Sequence, residues 1–323
     1  MTDIFDLLLY KKYNSDLKNL DDIQLFKHYN KIGKNQMRIY FNPNLFKKDK
    51  ILIFTTKFGY YISHVLQYLL FKNFILSEII YEINPNNTNL HIILFSQKVK
   101  IFPKNYIIYQ LEQKDISKWI DKKYELSILF SNKTWDYSQS NINKFPDIIQ
   151  KKMSFFPIPI IPYNYLFSEN NTENNTENNT ENNILFYGSM NNRRKKYLNL
   201  LQHKLSPKYF IKIVNVYGKK LLDEILNSKI ILNIHFYENA ILETCRINEI
   251  LSCNKLVISE KSNPIDNQNY LLYEDKVIFI NNINEMYEKI IYYLDNKNIM
   301  DIFLNNNLEK INNNVKDIIL PLD

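Results

Sequence analysis

Short apolar runs alternate with helix-like segments twice along this chain, and a polar repeat separates the two series. The first series begins with an apolar run at 51–56, a turn at Gly59 and a segment over 61–71 with apolar residues at helical spacing. This order is typical of the start of a βαβ unit, in which a buried strand is followed by a covering helix. We therefore expect an α/β protein with two Rossmann-like, doubly wound domains.

The same reading predicts the remaining elements. Further strands of the first series are expected at 79–83, 91–95, 106–111, 126–130 and 154–158. In the second series, strands are expected at 184–187, 210–217, 230–236, 256–259 and 277–280. Helices are expected between these strands at 193–203, 219–227 and 244–253, and two more, at 283–295 and 298–315, end the chain.

The domain boundaries follow from a segment that cannot contribute to a core. Residues 168–183 repeat the unit Glu-Asn-Asn-Thr and contain no apolar residue, so we interpret them as a low-complexity linker. Residues 1–45 are expected to form a helical module, with one helix over 5–13 and a second capped by Asp21 or Asp22. The first Rossmann-like domain then covers 46–167 and the second covers 184–323.

Composition excludes several classes of protein. With 45% hydrophobic and 23% charged residues, the 323-residue chain is globular, and its net charge of +7 comes from lysines spread along the sequence. We therefore expect no nucleic-acid partner. Cys245 and Cys253 show neither a disulfide framework nor zinc-ligand spacing. Because no run approaches 18 apolar residues, we expect a cytoplasmic protein without a transmembrane segment.

Glycine is rare in this chain, with only four residues, so its positions are informative. Gly59, Gly188 and Gly218 each follow a predicted strand, where open α/β sheets bind ligands. For Gly188, which precedes Ser189, we favour ligand binding; ordinary tight turns explain the other two equally well. The chain contains no full Gly-x-Gly-x-x-Gly motif and no P-loop, so we expect no dinucleotide cofactor.

Three of the four arginines, Arg193, Arg194 and Arg246, lie at predicted strand-to-helix junctions of the second half. A guanidinium fork at a helix N-terminus suits a diphosphate, and Lys196 lies close enough to share that role. The alternative is a pair of solvated arginines at a helix start and one salt bridge between domains.

The segment 233–249 is the most specific part of the sequence. A strand ends near His235, a polar loop follows, and a helix begins near Glu243 and Thr244 with Arg246 and Glu249 on it. Together with the following residues 249–259, Glu-Ile-Leu-Ser-Cys-Asn-Lys-Leu-Val-Ile-Ser, this segment resembles the donor half of GT-B glycosyltransferases of the retaining group 1, or family 4.

That resemblance implies roles for single residues. Glu249 would bind the nucleotide ribose. The other candidates for donor binding, which rest on their positions in the sequence, are Gly188, Ser189, Arg193, Arg194, Lys196, Thr244 and Arg246. The catalytic residues would be His235 and Glu243. The position of the family's first glutamate is occupied here by Ile241, with Glu243 and Glu238 nearby.

Four shorter motifs resemble a subgroup of glycosyltransferases found in giant DNA viruses and some microbes, and we expect a viral protein. The motifs are Leu-Glu-Thr-Cys-Arg-Ile-Asn-Glu, Phe-Tyr-Gly-Ser-Met-Asn-Asn-Arg-Arg, Tyr-Gln-Leu-Glu-Gln and Trp-Asp-Tyr-Ser. In the first half, Gln110 and Glu112 end one strand, and Trp135 and Asp136 are expected in a loop after another. With Gly59 they are candidates for acceptor binding, because aromatic rings stack on sugars and carboxylates accept from hydroxyl groups. Packing between the domains is the alternative.

These observations favour a glycosyltransferase that moves a sugar from a UDP- or GDP-sugar to a glycan, protein or lipid. The resemblance implies retention of configuration, and the lack of an Asp-x-Asp motif indicates metal-independent transfer. A catalytically silent nucleotide-sugar-binding or scaffold protein of the same fold is the main alternative. Nucleic-acid binding through the basic surface is the weaker one.

Overall fold

The computed structural model describes residues 10–11, 14–21, 24–25, 28, 47–167, 182–262, 266–315, 318 and 320–322. Its first half contains six strands, which are β1 (Lys47–Phe54), β2 (Ile75–Ile80), β3 (His91–Ile93), β4 (Tyr106–Gln110), β5 (Lys133–Asp136) and β6 (Met153–Phe155). All five pairings between them are parallel, in the order β2-β1-β3-β4-β5-β6.

Helices cover both faces of this first sheet. They are α1 (Tyr60–Lys72), α2 (Lys122–Phe130), α3 (Gln139–Ile142), α4 (Asp147–Gln150) and α5 (Tyr163–Leu166). Alternate residues of each strand enter different cores: Ile107 and Tyr109 pack with α1, whereas Tyr106 and Ile108 pack with α2. A period of two with both faces buried is expected of a parallel sheet between helix layers.

The second half repeats this architecture. Its strands are β7 (Asn182–Tyr187), β8 (Ile211–Val214), β9 (Ser228–Asn233), β10 (Leu256–Glu260) and β11 (Ile278–Ile280), in the parallel order β11-β10-β9-β7-β8. Its helices are α6 (Asn192–Leu205), α7 (Lys219–Leu226), α8 (Thr244–Ser252), α9 (Asn267–Tyr273), α10 (Ile283–Asp295) and α11 (Lys297–Asn314). The prediction of two doubly wound α/β domains is confirmed.

The expected strand at 126–130 is wrong. These residues form the second half of α2, which Asp121 caps by accepting a hydrogen bond from the Tyr124 amide at 2.8 Å. Its buried residues are Tyr124, Ser127 and Ile128, and their spacing of three and four positions is that of a helix. The sequence over 126–130 nevertheless looks like a short apolar strand. The strand of this region is β5, which includes Trp135 and Asp136, two residues expected in a loop.

The predicted N-terminal module lies mostly outside the described residues. Within them, Tyr10, Leu17 and Leu25 pack together, and Asp21 accepts a hydrogen bond from the Gln24 amide at 2.8 Å, as expected of a capping residue. The predicted linker is outside the described residues except for the start of β7. Helix α9 was not predicted from the sequence.

The two halves are joined by polar contacts as well as by the chain. The Asn248 side chain on α8 donates to the Ile158 carbonyl at 2.6 Å. After α11 the chain returns to the first half, where Leu320 is part of its core and Lys72 donates to the Val315 carbonyl at 2.7 Å. In the described residues, no helix is both long enough and apolar enough to cross a bilayer.

Candidate active site

Strand order defines where a ligand can bind in each half. In the second sheet, β7 lies between β8 and β9. The chain passes from β7 to β8 on one side of β7 and then crosses to β9 on the other side. A crevice forms beyond the carboxyl ends of the strands at such a point. Here the residues beyond those ends are Gly188 and Ser189 after β7 and Ile234 and His235 after β9.

Gly188 allows an arginine to approach the backbone closely. Its φ is +116°, and a Cβ atom at this position would lie 2.6 Å from Nη2 of Arg246. The Arg246 guanidinium also lies over the Tyr187 ring, 4.9 Å from its centroid. A side chain at residue 188 would therefore displace the arginine, so glycine is required here for both conformation and space.

Arg194 holds the ends of two strands together. It lies in the first turn of α6, is 2% exposed, and donates from Nε to the Ile234 carbonyl at 2.9 Å and from Nη1 to the Ser189 carbonyl at 2.8 Å. Its Nη2 lies 3.3 Å from Glu243 Oε1. Burial, followed by the charge of Arg246, lowers the pKa of Arg194 to about 10. Its position is that of a structural clamp at the base of the crevice.

Arg193 forms a second clamp through Glu260, the last residue of β10. The two side chains pair through both guanidinium nitrogens, with Nη2 to Oε1 at 2.5 Å and Nη1 to Oε2 at 2.9 Å. Arg193 also donates to the His235 carbonyl at 2.8 Å, and Glu260 accepts from the His235 amide at 2.7 Å. The backbone of His235 is thereby fixed by charged groups from both sides.

Several buried polar atoms beyond β9 have no hydrogen-bond partner in the described residues. They are Nδ1 and Nε2 of His235, Oε2 of Glu243, Oγ1 of Thr244 and Nη1 of Arg246. A buried polar atom without a partner costs about 1–3 kcal/mol, so such groups are rarely left together in a folded protein. A polar ligand at this point would supply partners to four neighbouring side chains at once.

The charges of this cluster favour an anion. Burial raises the pKa of Glu243, but the nearby charges of Arg246, His235 and Arg194 outweigh it and hold that pKa below its ordinary value. Glu243 Oε2 lies 3.8 Å from Arg246 Nε, which leaves Nη1 of the arginine free of hydrogen bonds among the described residues. Thr244 begins α8, so the positive end of this helix dipole lies at the same cluster.

Glu249 lies one turn beyond Arg246 on α8 and contacts the end of β7. The Tyr187 hydroxyl donates to its Oε2 at 3.2 Å. Burial raises the pKa of Glu249 to about 7, against the opposing effects of the Tyr187 hydrogen bond and the Arg246 charge. A carboxylate in this position can accept hydrogen bonds from two neighbouring hydroxyl groups.

The other two donor-site candidates lie at the rim. Lys196 is exposed on α6, and the Ser189 side chain is exposed in the turn after β7. Ser189 contributes its carbonyl to Arg194, so its backbone has a structural role whatever its hydroxyl binds.

The expectation that Trp135 faces a cleft is wrong. Its ring is fully buried and packs edge to face on Tyr109, with centroids 5.7 Å apart, in the core beneath the first sheet. Since Trp135 is in a strand and not in a loop, the alternation of side chains points it at α1. Asp136, the next residue, lies on the opposite side and is equally buried.

Asp136 and Gln110 support loops at the carboxyl edge of the first sheet. Asp136 accepts from the Ser138 amide at 2.9 Å and from the Asn141 side chain at 2.8 Å, and burial raises its pKa to about 8. Gln110 donates to the Glu112 carbonyl at 2.6 Å and accepts from the Glu112 amide at 2.5 Å. Both side chains are fully buried, so they position the loops rather than contact a ligand directly.

Glu112 is the most accessible of the three polar candidates in the first half. It accepts from Gln97 at 3.0 Å and from Ser117 at 2.8 Å, and burial raises its pKa. Gly59 is buried, and a Cβ atom there would lie 2.6 Å from the Phe95 ring, so its small size serves packing between the turns after β1 and β3.

Comparison with solved structures shows which known proteins share this fold. HepE from Anabaena, in complex with UDP and glucose, matches with a TM-score of 0.51 at 9% identity, over 81% of this chain and 94% of that one. An α-glucosyltransferase in complex with UDP and a 13-mer DNA matches with a TM-score of 0.52 at 10% identity, over 81% and 94%. WaaG, a glycosyltransferase involved in lipopolysaccharide biosynthesis, matches with a TM-score of 0.50 at 9% identity, over 81% and 95%.

The chain has the GT-B fold. At these identities the matches establish the fold alone. No protein-family model and no curated protein matches the sequence. The matched structures give no support to the viral resemblance, which stays a prediction from the sequence motifs.

In the GT-B fold the site residues that sequence reasoning missed are those that join the two domains. Gln113 of the first domain accepts from the Ile241 amide at 3.1 Å and donates to its carbonyl at 3.4 Å. Asp266 of the second domain accepts from the Leu242 amide at 2.7 Å and from the Ser138 hydroxyl at 3.0 Å. No motif marks these side chains, because their partners are backbone groups or residues more than a hundred positions away.

Proposed function

We propose that the chain is a glycosyltransferase that moves a sugar from a nucleotide-diphosphate sugar to an acceptor hydroxyl. The observation that carries the proposal is the group of unpartnered buried polar atoms on His235, Glu243, Thr244 and Arg246, beyond the carboxyl end of β9. The crevice of a Rossmann-like GT-B domain lies at the same point. The UDP present in the complexes of HepE and the α-glucosyltransferase agrees with this proposal.

Each part of the donor has a chemically suitable partner. Arg246 and Thr244 at the N-terminus of α8 would bind the diphosphate, because a guanidinium fork, a hydroxyl group without a partner in the described residues and the positive end of a helix dipole all favour phosphate oxygens. Glu249 would accept hydrogen bonds from the ribose hydroxyls. Because Gly188 has no side chain, the Arg246 guanidinium would have the space to reach the phosphate.

The reaction exchanges one bond at the anomeric carbon for another. The bond from that carbon to the diphosphate oxygen breaks, the acceptor oxygen bonds to the carbon, and the acceptor proton leaves with the diphosphate. Arg246 would stabilise the charge that develops on the leaving group. We assign the sugar to His235 and Glu243, since both side chains have buried polar atoms without a hydrogen-bond partner in the described residues. Retention of configuration is part of this proposal because residues 249–259 resemble the retaining family. Independence from metal is also part of it, because the arginine side chains can compensate the charge of the diphosphate.

The acceptor is expected in the first domain, near Glu112 and the turns that Gly59, Gln110 and Asp136 support. Trp135 is excluded from direct contact by its burial. A glycan, a protein or a lipid hydroxyl group would each satisfy the chemistry.

One observation favours the alternative of a nucleotide-sugar-binding protein without turnover. Glu243 Oε1 already contacts both Arg194, at 3.3 Å, and the Phe236 amide, at 3.4 Å. A carboxylate held in this way is less free to act on a substrate. Binding of UDP or GDP with no release of nucleotide from any donor sugar would support that alternative.

The test of the donor site measures by calorimetry the affinities for UDP and GDP and for the nucleosides uridine and guanosine. We expect Arg246→Ala to weaken the diphosphate and spare the nucleoside, and Glu249→Ala to weaken both, each by about 1.5–3 kcal/mol. Glu309→Ala, an exposed residue of α11, is the matched control. Unchanged affinities in both site variants would refute the donor site, and a screen of donor sugars then separates transfer from binding.

A further inference from the structure

Two aromatic rings from different domains meet beside the proposed donor site. Phe58 lies in the turn after β1 and is 53% exposed, and Tyr217 lies in the loop after β8. Their centroids are 4.6 Å apart at an interplanar angle of 76°, an edge-to-face contact. The Lys57 ammonium lies 5.5 Å from the centroid of Phe58 and 4.9 Å from that of Tyr217.

The loop that contains Tyr217 adjoins the glycine turn of the donor site. Tyr187 and Val214 are paired in β7 and β8, and the Gly188 amide donates to the Val214 carbonyl at 3.3 Å. Tyr217 follows three residues later, on the side of β7 that faces away from β9. It is held by its hydroxyl, which donates to Asn215 at 2.5 Å.

Helix α1 connects the aromatic pair to Glu249. At its first residue, the Tyr60 ring lies against Gly218, where an added Cβ would be 3.8 Å away. The Tyr60 ring also packs against the apolar cluster that contains Tyr187, whose hydroxyl donates to Glu249. The N-terminus of α1, directly after Phe58, therefore lies against both Gly218 and the cluster that includes the Tyr187 partner of the proposed ribose ligand.

We propose that Phe58 and Tyr217 form the stacking site for the nucleobase of the donor, and that the Lys57 ammonium donates a hydrogen bond to the edge of the base. This inference rests on the proposed function. With the diphosphate at Arg246 and the ribose at Glu249, the base extends toward the loop after β8, where the pair lies. A half-exposed phenylalanine beside a tyrosine offers the flat apolar surface on which any base can stack.

Lys57 adds a preference between bases. An ammonium group can only donate hydrogen bonds, so it favours a base edge that presents a carbonyl oxygen. Uracil and guanine present such an oxygen, whereas the corresponding position of adenine is an amino group. We therefore expect UDP or GDP to bind more tightly than ADP, and Lys57→Ala to reduce that difference.

The experiment measures the Kd of UDP, GDP, ADP and inorganic pyrophosphate by calorimetry. In Phe58→Leu and Tyr217→Leu we expect affinity for the preferred nucleotide to fall about tenfold, while pyrophosphate affinity is unchanged. Phe58→Tyr, which keeps the aromatic face, should bind nearly as the wild type does. Phe130→Leu, at an exposed phenylalanine that ends α2, is the matched control, and melting temperatures verify folding.

The outcomes separate this inference from the proposed function. Wild-type nucleotide binding that both leucine variants leave unchanged overturns the stacking site alone. A rise in the acceptor KM with no change in nucleotide Kd also overturns it, and assigns the rings to the acceptor instead. If the wild type binds neither a nucleotide nor pyrophosphate, the proposed donor site itself fails.

Discussion

Arg194 and Arg246 belong to one cluster but use their guanidinium groups differently. Arg194 is buried and bonded to carbonyls of Ser189 and Ile234, whereas Arg246 is partly exposed and keeps Nη1 without a hydrogen-bond partner in the described part of the chain. Sequence alone gave both arginines the same role, since position at a strand-to-helix junction does not reveal which donors are already used.

This difference predicts opposite phenotypes. Arg194→Ala leaves two carbonyls and Glu243 without their partner, and we expect it to lower the free energy of unfolding by about 3–5 kcal/mol. Arg246→Ala should reduce nucleotide affinity with a much smaller effect on stability. Chemical denaturation and calorimetry on the same samples check both values. An Arg194→Ala protein as stable as the wild type would contradict the clamp.

Glu249 predicts a pH dependence near neutrality. Only the ionised carboxylate accepts from both ribose hydroxyls, and burial raises its pKa to about 7. Nucleoside affinity should therefore rise as the pH increases through about 7 and fall below it. The Tyr187 hydrogen bond opposes the shift, so Tyr187→Phe should move the midpoint to higher pH. Titration with uridine or guanosine avoids the ionisation of phosphate, and Glu249→Gln should give a flat profile.

The loop from His235 to Glu243 is the element on which the site depends. It leaves β9, carries both catalytic candidates, and is fastened to the first domain by Gln113 and to α9 by Asp266. Its backbone amides at Ile241 and Leu242 are bonded to side chains rather than to a sheet. The conformation of the loop therefore depends on residues outside it.

Loosening this attachment should be measurable without any ligand. We expect Gln113→Ala and Asp266→Ala to increase amide hydrogen exchange in 236–243, because Ile241 and Leu242 then lose their acceptors, each worth about 1 kcal/mol. Gln139→Ala is the control, since the Gln139 side chain donates to Asn143, directly after its own helix, at 2.9 Å and among the described residues has no bond to the loop. Equal exchange in all four proteins would show that the loop is held by other contacts.

Elements with a clear period were predictable from the sequence, and those set by distant contacts were not. Strands β7 and β9 and helix α10 follow from apolar runs and helical spacing, and so does the pair of parallel sheets. The run over 126–130 was misleading because its four apolar residues belong to a capped helix and not to a strand. Residues such as Gln113, Tyr187 and Asp266 were missed because their importance lies in partners that only the folded chain brings near.

At the scale of the molecule, both domains contribute to the proposed site. The second domain supplies the charged cluster, and the first supplies Gln113, the turn with Phe58, and the start of α1, where the Tyr60 ring lies against Gly218. Hydrogen bonds from Asn248 to the Ile158 carbonyl and from Lys72 to the Val315 carbonyl also connect the two halves of the chain. Substrate binding and domain arrangement are therefore expected to be coupled.

The last prediction concerns how the whole site balances the charge of the donor. A departing diphosphate needs compensating positive charge, and here Arg246, the buried Arg194 and the N-terminus of α8 converge on the crevice beyond β9. We expect donor turnover, once a donor sugar is found, to continue in EDTA at close to the untreated rate. The Arg246→Ala enzyme should turn over about 100-fold more slowly in EDTA, because it loses a charged donor in the transition state. Released UDP or GDP is the readout, with Lys204→Ala, an exposed lysine at the far end of α6, as the control. Complete loss of wild-type turnover in EDTA, restored by added Mg²⁺ or Mn²⁺, would instead assign the charge compensation to a metal ion.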